Sequence, residues 1–121
     1  MFGIYELTKT DPKSLQERAL KLSEEAGELA QAVLSVTNAP GSAYKNHSID
    51  DVREEAVDAA IVALSLLAHT TETREEFENE LHRLMIGKCA KWSEKISPGK
   101  TYRSRGSSAG MLVSAATAIR T

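Results

Sequence analysis

The sequence predicts an all-α fold, a helical bundle, and three observations carry that expectation. The chain of 121 residues is long enough for one hydrophobic core and too short for two. Aromatic residues make up only 5% of it, so burial must come from Leu, Val, Ile and Ala, at roughly 25 cal/mol per Å². Apolar residues also recur at three- and four-residue steps between recognisable helix start and stop signals.

The opening residues, through Lys9, show no period and predict an irregular arm. Asp11-Pro12 supplies an N-cap followed by proline at the first helical position, so a helix is expected over Pro12 to Val36. Leu15, Leu22, Ala26, Leu29, Val33 and Val36 form its apolar stripe. Asn38, Pro40, Gly41, Ser42 and Asn46 punctuate the loop that follows.

Ser48 with Asp51 three residues later has the form of a capping box, and a second helix is expected from Ile49 to Ala68. Beyond Val57 its apolar residues cover nearly every side, more than one short bundle hides, so a partner subunit is expected to complete the core. Thr71, followed by Glu72, Glu75 and Glu76, predicts a third helix start, with acids at the positive end of the helix dipole. Phe77, Leu81, Leu84 and Met85 give this helix its core stripe, and Lys88, Lys91 and Lys95 turn the same face cationic before Ser97-Pro98-Gly99 ends it. The helical domain is therefore placed at 1–97. Residues 98–121 hold a basic turn from Lys100 to Arg105 and a tail whose Met111 to Ile119 reads equally as a docking helix or as disorder.

A net charge of −2 gives no reason to expect attraction to nucleic acid or to an anionic membrane. The longest apolar run, Ala59 to Ala68, is about half the roughly 20 residues that span a bilayer. Met1 to Thr10 lacks the basic start and apolar stretch of a signal peptide. The single Cys89 has no internal disulfide partner and reads as a small core residue, which fits a reducing cytoplasm.

Acids carry the chemistry. Glu24-Glu25-Ala26-Gly27-Glu28 lies in the first predicted helix and Glu54-Glu55-Ala56-Val57-Asp58 in the second. Glu25 and Glu28, like Glu55 and Asp58, are three residues apart, so each pair shares one side of its helix. At 100° per residue Glu25 stands beside Leu22 and Leu29, and Glu55 stands in line with Ala59, Val62 and Leu66. The acids therefore face the partner helix. Carboxylates gathered away from water repel one another and lose hydration, so they call for a cation. An all-oxygen set without His or Cys favours a hard ion, and Mg²⁺ typically binds a few carboxylates together with substrate phosphates. Gly27 costs its helix about 1 kcal/mol against alanine, which points to close approach of another backbone or of a substrate.

The Glu24-Glu25-x-x-Glu28 and Glu55-x-x-Asp58 motifs, with 26 residues between Glu28 and Glu55, resemble the EExxE…ExxD signature of the MazG-like all-α nucleoside triphosphate pyrophosphohydrolases. The similarity spans roughly Leu15 to Ile96, and the two motifs carry most of it. It implies a MazG-like bundle completed by oligomerisation into a homodimer or homotetramer, with Mg²⁺ (or Mn²⁺) on Glu25, Glu28, Glu55 and Asp58. Glu24 would then position or activate water. The implied reaction is hydrolysis of a nucleoside triphosphate to monophosphate and pyrophosphate, in the service of nucleotide-pool housecleaning. Hydrolases specific for dUTP or dCTP, and the phosphoribosyl-ATP pyrophosphohydrolase of histidine synthesis, remain open within the same superfamily.

Around these acids, Lys88, Lys91 and Lys95 are either a triphosphate clamp or a solvated helix end. Trp92 either stacks on a base or belongs to the core. Asn46 and His47 either read base edges or cap the following helix. Tyr102, Arg103 and Arg105 are candidates to reach a neighbouring subunit's phosphate site. His69 and His82 look unrelated to the acids. A helical adaptor without activity would have no need of inward acids, and a di-iron carboxylate site would need Glu-x-x-His pairs that Glu28 and Glu55 do not start.

Overall fold

A computed structural model describes residues 3–42 and 46–97. Among them the chain forms four helices and no strand: α1 (Ile4–Thr10), α2 (Leu15–Val36), α3 (Ile49–His69) and α4 (Arg74–Ile96). The expected all-α class holds. No helix among the described residues is long and apolar enough to cross a membrane. The basic turn, Tyr102, Arg103, Arg105 and the Met111 to Ile119 stretch lie outside the described residues. The chain divides into two units, Met1–Thr70 and Thr71–Thr121, with α1, α2 and α3 in the first and α4 in the second.

The start of α2 is set by Ser14. Its hydroxyl accepts from the Glu17 backbone N–H while the Glu17 carboxylate accepts from the Ser14 N–H, a reciprocal pair that satisfies two donors left over at a helix start. The helix therefore begins at Leu15, later than the expected Pro12. Asp11 instead accepts from the Lys13 backbone in the connector. The same device starts α3, where Ser48 and Asp51 cap each other as expected.

The opening segment is helical instead of irregular. Seven residues form α1, which has no side-chain cap at Gly3 and packs on α3. So short a helix is marginal alone, and tertiary contacts hold it. One of them repairs a defect written into the sequence. The Thr8 carbonyl has no N–H to accept from at the fourth residue on, because that residue is Pro12. Arg18 fills the gap: its Nη2 donates to the carbonyls of Thr8 and Asp11, both at 3.0 Å.

Packing of α2 against α3 forms the core of the first unit. They run antiparallel: Ser35, near the end of α2, accepts from the His47 N–H just ahead of α3, while Arg18 near the start of α2 reaches His69 at the end of α3. The inward stripe of α2 is rotated from the expected one. Leu22, Leu29 and Val36 are shared and half-buried, but Leu15, Ala26 and Val33 are exposed, and the buried positions are Arg18, Glu25, Ala32 and Ser35. Polar members of the stripe, invisible to a search for apolar periodicity, account for the rotation.

In the second unit, α4 starts at Arg74 with Thr73 as its N-cap, two residues beyond the expected Thr71. Phe77 and Leu81 are buried, Met85 is half-buried and Leu84 is exposed.

Candidate metal centre

Glu25 lies on the stripe of α2 that faces α3 and is buried, with 7% of its surface exposed. On α3 the facing stripe is Val52, Glu55, Ala59, Val62 and Leu66, each half-buried. The register of the two helices brings Glu55 level with Glu25, and Glu28, one turn further along α2, reaches the same point from its edge. Carboxylate oxygens of Glu25, Glu28 and Glu55 lie within 4.8 Å of one another. Asp58 is exposed and stands outside this group of three. A three-residue step advances 300° around a helix, which puts Asp58 on the shoulder of α3 rather than on its inward line.

Electrostatics at this point are unbalanced. The neighbouring charge of Glu25 raises the Glu28 pKa above its ordinary value of 4.5, with burial, the charges of Glu55 and Glu24, and a hydrogen bond with the Glu55 carboxyl adding to it. Glu55 Oε2 is buried and no hydrogen bond reaches it. Among the described residues one cation answers these acids: Lys21 Nζ lies 2.9 Å from Glu25 Oε1 and 3.4 Å from Glu24 Oε2. The hydrogen bond to Glu25 in turn raises the Lys21 pKa above its usual value. Glu24 itself is exposed beside the cluster.

A divalent ion fits these residues. Their donors are all carboxylate oxygens, the choice of a hard cation. Two oxygens on opposite sides of Mg²⁺, at about 2.1 Å each, stand about 4.2 Å apart, so a spread of up to 4.8 Å closes with small side-chain adjustments. The orphaned Glu55 oxygen would gain the partner it lacks.

Beside the cluster lies a cleft of about 240 Å³ between α1, α2 and α3. Ile4, Leu7, Ile61, Val62 and Ser65 form its largely apolar wall, with Arg18 and Lys21 also lining it. Lys21 sits four residues before Glu25 and Val62 seven residues after Glu55, so the cleft begins one helical turn from the acids along α2 and about two along α3.

No protein-family model, no curated protein and no solved structure matches the chain.

The remaining candidates are more dispersed. Gly27 is exposed, and a Cβ built there meets nothing within 4 Å among the described residues, so no backbone approaches it. Asn46 is exposed with a left-handed backbone, φ 50°. Lys88, Lys91 and Lys95 are exposed on α4, as is Trp92 at 66%. Cys89 is half-buried. His69, unrelated to the acids as expected, is nonetheless structural, since its Nδ1 accepts from Arg18 Nε. Sequence reasoning missed Arg18, Lys21 and the cleft. The signal for Lys21 was its place one turn ahead of Glu25.

Proposed function

We propose that the chain is a Mg²⁺-dependent nucleoside triphosphate pyrophosphohydrolase, cleaving between the α- and β-phosphates to give a nucleoside monophosphate and pyrophosphate. The observation that supports this best is the convergence of Glu25, Glu28 and Glu55 oxygens within 4.8 Å, with a buried Glu55 oxygen that no hydrogen bond satisfies. Lys21 pairs with Glu25, while the exposed Glu28 and half-buried Glu55 have no cation beside them among the described residues, so a purely structural role gives little reason for bringing the three acids together. The motif resemblance gives the cluster its reaction class.

Glu25, Glu28 and Glu55 would hold the ion, with Asp58 joining from the shoulder of α3. An ion held there would supply neutralisation of phosphate charge and a lowered pKa for water. Glu24, exposed next to Glu25, accepts the proton of the attacking water at its carboxylate. The adjoining cleft offers an apolar wall to the nucleoside. On α4, Lys88, Lys91 and Lys95 are candidates to bind phosphate and Trp92 to stack on a base, and Asn46, ahead of α3, is a candidate base contact. Leu20, Leu34 and Val57, all large apolar residues left exposed in the first unit, support assembly into a homodimer or homotetramer.

A panel of standard and modified nucleoside triphosphates, incubated with Mg²⁺ and analysed for products, tests the reading. Pyrophosphate and monophosphate are expected, and Glu28→Gln should abolish both while the far-UV spectrum stays helical. Release of inorganic phosphate, or full turnover by Glu28→Gln, would contradict it.

A further inference from the structure

We infer that Lys21 is a displaceable counter-cation: with no divalent ion present it neutralises Glu25 and Glu24, and on ion binding it turns into the adjoining cleft to hold the substrate's phosphate chain. This rests on the pyrophosphohydrolase reading and adds to it a residue that couples the two ligands.

Two contacts of one side chain carry the argument. Lys21 Nζ engages Oε1 of Glu25, an acid of the convergent cluster, and also approaches Glu24. The same residue lines the cleft with Ile61, Val62 and Ser65. An ammonium on a flexible four-carbon stem has the reach to serve both places, and its side chain is 45% exposed, with room to turn. Helix stability gains little from the pair, because Lys placed four residues before Glu is the less favourable order along a helix.

The other cations of the cleft wall are committed. Arg18 spends Nε on His69 and Nη2 on the Thr8 and Asp11 carbonyls, and Lys13 pairs with Asp11. Lys21 is thus the cation there whose partner is itself wanted by another ligand. A divalent ion on Glu25 both takes up that carboxylate and repels the ammonium. The released charge then stands between the acids and the apolar wall assigned to the nucleoside, where the phosphate chain must run. By linkage, ion and phosphate chain each strengthen the binding of the other.

The test uses the full chain and two probes, Mg²⁺ alone and inorganic tripolyphosphate with Mg²⁺ in excess, each titrated calorimetrically into wild type, Lys21→Gln, Lys21→Met and Lys21→Arg. Removing the competing charge should tighten Mg²⁺ binding by about three- to tenfold in the Gln and Met variants. Tripolyphosphate should bind those variants about tenfold more weakly, the loss expected for one charged contact. Lys21→Arg should follow wild type in both titrations. If wild type takes up Mg²⁺ and the neutral variants bind it no tighter, or bind tripolyphosphate unchanged, the inference is overturned and the metal site stands. A wild-type chain that takes up no Mg²⁺ overturns the functional reading and this inference together.

Discussion

Arg18, near the start of α2, donates from Nε to Nδ1 of His69, the last residue of α3, at 3.1 Å. That bond fixes the imidazole tautomer with its proton on Nε2. Together with the bonds from Nη2 to Thr8 and Asp11, it ties three helices to one buried guanidinium, 5% exposed.

Arg18→Met should therefore destabilise the fold by about 2–4 kcal/mol, since it leaves buried acceptors on α1 and α3 unpaired. Denaturant unfolding measures this. A change within about 0.5 kcal/mol, ordinary for a surface site, would contradict the tie.

Gly27→Ala should raise stability by roughly 0.5–1 kcal/mol, because the added methyl meets nothing within 4 Å and alanine is the better helix former. Thermal melting checks the rise. A variant that melts higher yet loses turnover would place the substrate against Gly27.

The capping boxes make stability pH-dependent. Bonding to the Ser14 backbone N–H lowers the Glu17 pKa from 4.5, and the Ser48 N–H does the same for Asp51 from 3.8. Each group's folded value lies below its unfolded one, so its contribution is present above the ordinary value and is lost as pH falls through the lowered one. The double variant Glu17→Gln/Asp51→Asn should be less stable at neutral pH and show a flatter acid limb in chemical denaturation. Glu28 runs the other way: its value is raised above 4.5, so its contribution is present below that pH and is lost as pH rises through the raised value. Glu28→Gln should remove that opposing slope.

Lys91→Ala should weaken binding of a nucleoside triphosphate more than of the monophosphate if this lysine binds phosphate, because the triphosphate carries more negative charge. Competition binding with the two nucleotides measures the ratio. Equal effects would take Lys91 out of the clamp.

Local signals in this sequence proved more readable than tertiary ones. Ser48 and Asp51 mark the start of α3 because a capping box is complete within four residues. Ser14 and Glu17 make the same pattern, but Asp11-Pro12 offered a competing start, and the structure uses that proline as the break after α1. Seven residues are too few to display a helical period, so α1 was illegible without Arg18, whose partners lie on other helices. At the site, the three-residue spacing and the inward line of α3 were enough to bring Glu25, Glu28 and Glu55 together. Asp58 shares that spacing yet sits off the line, which a pairwise rule does not separate. Lys21 went unread because a lone lysine carries no period. Its meaning comes from the oxygens it touches.

The central claim is that Glu25, Glu28 and Glu55 form one divalent-ion site, and the melting temperature across a millimolar Mg²⁺ titration tests it most directly. A ligand that binds only the folded chain, at a hundred times its dissociation constant, adds about 2.7 kcal/mol. Wild type should melt progressively higher and Glu55→Gln should not respond. A flat wild-type curve, or an equal rise in both proteins, would contradict the account.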